Sequence, residues 1–270
     1  MFSNEAAMLP CVADHLAGSK EHSKASWILV SQHKVDNRIP DLVLARINPA
    51  ALEERIEKGL TRSLRRSEIA VMRALRTDRV TTIRTVATRA SLASVTTDRI
   101  LRQLEPGGYV TRVGNRGYVR NLSLQPLVCY YVSVEAKLSD WRRALSQAAA
   151  HASFAAESYV AFDATYSGRF SRARRYYEAT GVGLLSMDGS TGRCRTLLQS
   201  RRNRTDRLSR ALADERLLSA LVSGPATALP ETRLPNAVAP SADLMTPRPL
   251  GAVPRIVWRL LSGPSLSPVA

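Results

Sequence analysis

The chain is poor in cysteine, lysine and aromatic residues, and each shortage narrows what it can be. Its three cysteines, Cys11, Cys129 and Cys194, stand far apart, with no C-x-x-C pair among them. Neither a thiolate zinc site nor a disulfide framework is therefore expected. Cys129 lies in an apolar run and reads as a small core residue. No apolar run approaches the roughly 20 residues that span a bilayer. The opening stretch, MFSNEAAMLPCVADHLAG, lacks the basic-then-apolar order of a secretory signal. A reducing cytoplasm is the expected setting, and a membrane is not an expected partner. Aromatic residues make up 6% of the chain and form no base-stacking motif. That argues against an accessory protein that uses its surface to hold RNA.

Lysine is the most informative shortage. Of 39 basic residues only five are lysines: Lys20, Lys24, Lys34, Lys58 and Lys137. The rest are arginines, and the net charge is +16. A surplus this large points to a polyanionic partner, nucleic acid ahead of membrane. Guanidinium suits such a partner because it bonds phosphate and guanine edges with two parallel hydrogen bonds. A merely solvated, arginine-rich surface is the competing account.

Along the chain, Asn4 to Gly18 reads as a short helix that Pro10 kinks or delays. SWILVSQHKV (Ser26 to Val35) is strand-like, DNR makes a turn, and IPDLVLARI (Ile39 to Ile47) is a second strand. The pair forms a hairpin with Asp41 at the start of its second arm. Asn48 then caps a helix whose first position is Pro49.

From Leu64 to Arg120 the character changes. SEIAVMRALRT, TIRTVATRASL and SVTTDRILRQL are three short helical patterns. Ile69, Met72, Ala74 and Leu75 keep helical spacing in the first. The third has Ser94 as its cap, Ile100, Leu101 and Leu104 as its apolar stripe, and Pro106-Gly107-Gly108 as its stop. YVTRVGNRGYVRN alternates around GNRG, a hairpin signal. Three helices and a hairpin in this order resemble the winged helix-turn-helix of bacterial regulators. The resemblance implies a turn near Ser91-Leu92 and a recognition helix presenting Thr96, Thr97, Arg99, Arg102 and Gln103 to DNA. It also implies a wing whose Arg112, Arg116 and Arg120 reach phosphates. Protein docking is the competing use of such a module.

The remainder alternates strand and helix. LVCYYVSVEAKL is a strand, SDWRRALSQAAAHASFAAE a helix capped by Ser139 or Asp140, and SYVAFDA a strand. SRARRYYEATG is a helix ending at Gly181, VGLLSMD a strand, and RTDRLSRALADERLLSALV a basic amphipathic helix. From Ser223 onward proline, alanine and serine dominate, as in an extended or disordered tail whose RIVWRLLSG end is apolar.

Lys137 sits two residues after Glu135 in an otherwise apolar strand. Residues two apart on a strand share a face, so both point one way while Val134, Ala136 and Leu138 point the other. A carboxylate beside an ammonium serves phosphodiester cleavage: the acid holds Mg²⁺, and the lysine places water or offsets charge on phosphate. Mg²⁺ calls for a second acid, and Asp41, ahead of the apolar run LVLA, is the candidate. Taken singly, Asp41 is a turn aspartate after proline, and Glu135 with Lys137 an ion pair on a solvent-facing edge strand. The apolar LVCYYVSV argues against an exposed edge. Gln147 alone is a helix-surface residue, and His151 a structural histidine.

Together, IPD at Ile39 to Asp41 and VEAK at Val134 to Lys137 resemble the PD-(D/E)xK, restriction-endonuclease-like superfamily. Gln147 and His151 are similar to the Q-x-x-x-(aromatic or His) pattern on the helix behind the active site in many members, and WRRALSQAAAHASFAAESYVAF resembles their helix-strand unit. The resemblance implies an α/β fold, a mixed sheet flanked by helices. It further implies a Mg²⁺ cofactor held by Asp41 and Glu135, with Lys137 and Gln147 completing a catalytic set. Glu5 would match an extra glutamate in some members. The departure is the winged-helix segment, which separates the motifs and reads as an insertion. The expected organisation is 1–60 and 122–222 as two parts of one nuclease-like domain, 61–121 as the inserted DNA-binding module, and 223–270 as the tail. Double-stranded DNA is the expected partner, and a homodimer is compatible. The expected activity is Mg²⁺-dependent DNA hydrolysis. The alternative is a winged-helix transcriptional regulator whose nuclease-like domain is inactive.

Overall fold

The computed structural model describes residues 2–20, 27–31, 33–223 and 248–250. Along the chain come a 3-10 turn (Ala6–Met8), α1 (Leu9–Lys20), β1 (Trp27–Ser31), β2 (Leu42–Ile47) and α2 (Pro49–Glu57). Then follow α3 (Arg66–Ala74), α4 (Ile83–Ala90), α5 (Ser94–Leu104), β3 (Val110–Val113) and β4 (Gly117–Arg120). The last part holds β5 (Val128–Lys137), α6 (Trp141–His151), β6 (Glu157–Asp163), α7 (Ser167–Thr180), β7 (Gly183–Asp188), β8 (Arg193–Leu198), α8 (Arg207–Ser223) and β9 (Arg248–Leu250).

Local chemistry sets most boundaries. Pro10 falls in the first turn of α1, where its missing N–H costs no hydrogen bond, so the helix starts late instead of kinking. Asn48 accepts from the Ala51 N–H with Pro49 as the first helical residue, and Asp140 accepts from Arg143 N–H at 3.1 Å. Gly181, at φ 78°, ends α7 in the left-handed conformation. The expected Ser94 cap lies one residue too late: Ala93 is the cap position and Ser94 is already helical.

The main sheet runs β8-β7-β6-β5-β2-β1-β9. Its β5-β6 and β6-β7 pairs are parallel and are bridged by α6 and α7, while β9-β1, β1-β2, β2-β5 and β7-β8 are antiparallel. One face buries Leu42, Leu44, Val132, Val134, Ala136 and Ala161 against α1. The opposite face packs Val160, Phe162 and Leu184 under Ala144 and Ala148 of α6 and Phe170 and Tyr177 of α7. This is the expected mixed sheet flanked by helices. No apolar pattern marks β8 in the sequence, because Arg193 and Arg195 are exposed on it; charge on an edge strand blocks further pairing. Cys129, expected in the core, is exposed near the start of β5, where the register with β2 shifts. Arg248–Leu250 form a strand on β1 within the stretch read as a tail, and 224–247 and 251–270 lie outside the described residues.

Between β2 and β5, helices α3, α4 and α5 are followed by the β3-β4 hairpin, which Thr81 joins by paired backbone bonds to Tyr118. Gly117, at φ 140°, is required there: a Cβ would run into the Thr81 carbonyl. The two ends of this segment meet on α2, where Lys58 donates to Asn121 O at 2.8 Å and Glu54 accepts from Ser123 N–H at 3.1 Å. Its core is continuous with that of the sheet, for Ile69, Met72, Leu101 and Tyr109 share a cluster with Val43, Tyr131, Leu217 and Leu221. Underneath, Arg55 of α2 makes a two-fold ion pair with Glu215 of α8 at 2.7 and 3.1 Å, and Glu215 also accepts from Leu64 N–H at 2.8 Å.

Candidate active site

Strand alternation puts Ser133, Glu135 and Lys137 on the face opposite Val132, Val134 and Ala136. β5 lies between β2 and β6, so it is a central strand and not the solvated edge that a surface ion pair would occupy. Glu135 is 1% and Lys137 8% exposed. Antiparallel pairing matches Leu42 with Val134, which sets Asp41 beside the Glu135 end of β5. Asp41 there accepts from the Ala136 N–H at 2.8 Å.

Lys137 Nζ is the hub. It lies 3.0 Å from Glu135 Oε1, 3.8 Å from Asp41 Oδ2 and 3.0 Å from Glu5 Oε2, and it donates to the Ala136 carbonyl at 2.9 Å. The turn before α1 delivers Glu5, whose Oε1 also accepts from Leu138 N–H at 3.4 Å. That turn is moored by Asp163 at the end of β6, which accepts from the Phe2 N–H at 2.7 Å and from Thr165 at 2.7 and 2.8 Å. The first helix was too poorly marked in the sequence to assign Glu5. The structure brings it to the same lysine as the two carboxylates expected there.

The charges are uneven. Burial pushes the Glu135 carboxyl up to about 7, Asp41 adds to the rise, and Lys137 opposes it. Burial works against the Lys137 ammonium, but Glu135, Glu5 and Asp41 outweigh it, and its pKa is raised. Glu135 Oε2 is buried with no hydrogen-bond partner. Unfilled buried acceptors are rare because each forfeits its hydration. The cluster therefore has one acid that is easily protonated, one firmly charged cation, and an oxygen still able to take a ligand.

Gln147 and His151, one turn apart on α6, are not joined to this cluster by hydrogen bonds. Gln147 Oε1 and His151 Nδ1 are each buried without a partner. Burial lowers the imidazole to about 4, with Arg38 adding repulsion, so His151 is neutral at physiological pH. Among the described residues no group of three or more His, Cys, Asp and Glu side chains is arranged to hold a metal ion. Asp41 and Glu135 are nevertheless hard oxygen donors, and the unpartnered Glu135 Oε2 is a free position. Two carboxylates fit Mg²⁺, which keeps several waters and takes further oxygens from a bound phosphate.

In the segment between β2 and β5, Arg99, Arg102, Gln103, Arg112 and Arg116 are exposed and Thr96 is half-buried. Thr97 is 0% exposed and donates to the Ala93 carbonyl, so it holds the turn before α5 and faces no ligand. Helical rotation sets this inward position: Thr97 lies on the same stripe as Ile100, Leu101 and Leu104. Arg120 also turns inward and donates to the carbonyls of Met72 and Leu75 at 3.0 and 3.2 Å. Arg102 pairs with Asp98 at 2.9 Å, one turn away.

The chain matches no protein-family model, no curated protein and no solved structure. Among the described residues no helix is long and apolar enough to cross a membrane.

Proposed function

We propose that the chain is a DNA-binding protein of the PD-(D/E)xK kind that hydrolyses DNA phosphodiesters with a divalent metal. The observation that carries this is the meeting of Asp41 and Glu135, 94 residues apart in sequence (135 − 41), around Lys137 on a central strand. A bound Mg²⁺ would supply a Lewis acid that polarises the phosphate and acidifies water. Asp41 and Glu135 would hold it. Lys137, held protonated by its acids, places the attacking water and offsets charge on the phosphate. Water adds to phosphorus, one P–O ester bond breaks, and the departing alkoxide takes a proton. A phosphomonoester and an alcohol result. Three helices and a hairpin bearing exposed arginines support a winged helix-turn-helix that supplies duplex affinity, in line with the +16 charge.

Purified protein with Mg²⁺ or Mn²⁺ is expected to nick supercoiled plasmid, and chelation to stop it. Lys137→Ala should lower nicking by on the order of 100-fold while duplex binding survives. Equal nicking by the variant would sink the site.

A second reading is a winged-helix regulator with a catalytically inactive α/β part. It needs only the exposed Arg99, Arg112 and Arg116 of the helices and hairpin. It expects salt-sensitive, sequence-selective binding and no metal-dependent cleavage.

A further inference from the structure

Away from the carboxylate cluster, the outer surface of α6 and α7 gathers aromatic rings that the sequence keeps 35 residues apart (176 − 141). Trp141, the first residue of α6, stacks on Tyr176 of α7 with ring centroids 5.4 Å apart and planes 25° from parallel. Arg142 lies over the indole at 4.6 Å and Arg175 over the phenol at 4.8 Å. Tyr176 is 43% exposed. The pair is held from below, because the buried Tyr177 donates its hydroxyl to the Trp141 carbonyl at 3.1 Å. Phe170 of α7 stacks on Phe162 of β6 at 3.9 Å, which fixes the helix to the sheet. Arg142, Arg143 and Arg175 are exposed, and among the described residues no carboxylate pairs with them.

A partly exposed aromatic pair, each ring covered by an arginine of its own helix with Arg175 also donating to the Tyr176 hydroxyl at 2.9 Å, matches one ligand chemistry: a base can take an arginine's place on the ring while the displaced guanidinium reaches phosphate. Stacked duplex bases hide their faces, whereas an unpaired base offers a π-face to an aromatic ring and its phosphates to arginine. Trp141 follows Lys137 by four residues, a span of at most about 14 Å even when fully extended. A strand lying on the rings would thus pass close to the candidate site.

We propose that Trp141 and Tyr176, with Arg142 and Arg175, form a stacking platform for unpaired DNA bases. The DNA handled at the Asp41–Glu135–Lys137 site then carries a single-stranded segment beside its duplex. This second clause rests on the nuclease reading; the platform itself does not.

The test uses the full chain in EDTA, where no cleavage interferes. Fluorescence anisotropy follows a labelled 15-mer of dT, a duplex of equal length, and an oligo-U RNA. Tyr176→Ala is expected to weaken binding of the dT strand at least tenfold, with duplex affinity and melting temperature unchanged. Trp141→Phe, which keeps a ring, should lose less than Trp141→Ala. Unchanged affinity of Tyr176→Ala for the dT strand overturns the platform. So does an equal loss on single strand and duplex, which marks general electrostatics. Tighter binding of the RNA overturns the assignment to DNA. With Mg²⁺ added, cleavage of a duplex bearing a dT overhang should exceed that of the blunt duplex, and the excess should vanish in Tyr176→Ala. Equal cleavage of the two overturns the substrate assignment. Strand binding with no cleavage of any DNA leaves the platform standing and removes the nuclease reading, so the two failures are distinct.

Discussion

Two of the buried charge clusters among the described residues are built on opposite principles. Between α2 and α8, Arg55 and Glu215 face each other in a fork, and each side-chain nitrogen of the one and oxygen of the other has a partner. Arg55 also reaches the carbonyls of Leu60 and Arg62, and Glu215 takes the Leu64 amide. At the end of β5, several acids crowd one lysine and Glu135 Oε2 has no partner. The first cluster is closed and fixes a helix. The second is open, with an acid poised near neutrality. A satisfied ion pair ties elements together; an unpartnered buried oxygen leaves a position that a ligand can fill.

The largest expected effect breaks the closed cluster. Glu215→Ala strands the Arg55 guanidinium and should cost about 3–5 kcal/mol in urea unfolding. Arg55→Met combined with Glu215→Leu removes both charges and should cost much less. If the double variant were as damaged as the single one, packing and not charge would be responsible.

Next comes the open cluster. Glu135 keeps its proton in the fold until about pH 7, whereas an unfolded glutamate releases it near 4.5. The folded state thus binds more protons across that window, and stability falls as pH rises from about 4.5 to 7. Glu135→Gln removes the buried charge and should raise stability at pH 8 by about 1–3 kcal/mol, at roughly 1.4 kcal/mol per pKa unit less relaxation. It should also abolish nicking. Asp214, which burial raises to about 7, keeps its own share of the pH slope in the variant. Loss of stability in Glu135→Gln at pH 8 would mean that the cluster is structural, like the first.

The smallest effects separate outward from inward residues in the segment between β2 and β5. Arg112→Ala or Arg116→Ala should weaken duplex binding a few-fold and reduce the salt slope by about one unit each. Thr97→Val, which keeps the shape of a side chain that faces the core, should leave duplex affinity within about two-fold and be read out in thermal stability instead, at about 1 kcal/mol for the lost hydrogen bond.

Much of this was legible because it is local. A period of two along VSVEAK puts Glu135 and Lys137 on one face whatever surrounds them, and Asn48, Asp140 and Gly181 mark helix ends through bonds a few residues long. The arginine excess and the three-helix-plus-hairpin order also needed only the linear chain. The tertiary structure decided what depends on neighbours in space. Pairing of β2 with β5 brought Asp41 to Glu135, and mooring of the first turn by Asp163 brought in Glu5. Burial raised Glu135 toward neutrality, since desolvation depends on what packs around a group and not on its sequence neighbours. Rotation of α5 turned Thr97 inward. The packing of α6 on α7 stacked Trp141 on Tyr176, two residues that no pattern along the chain connects.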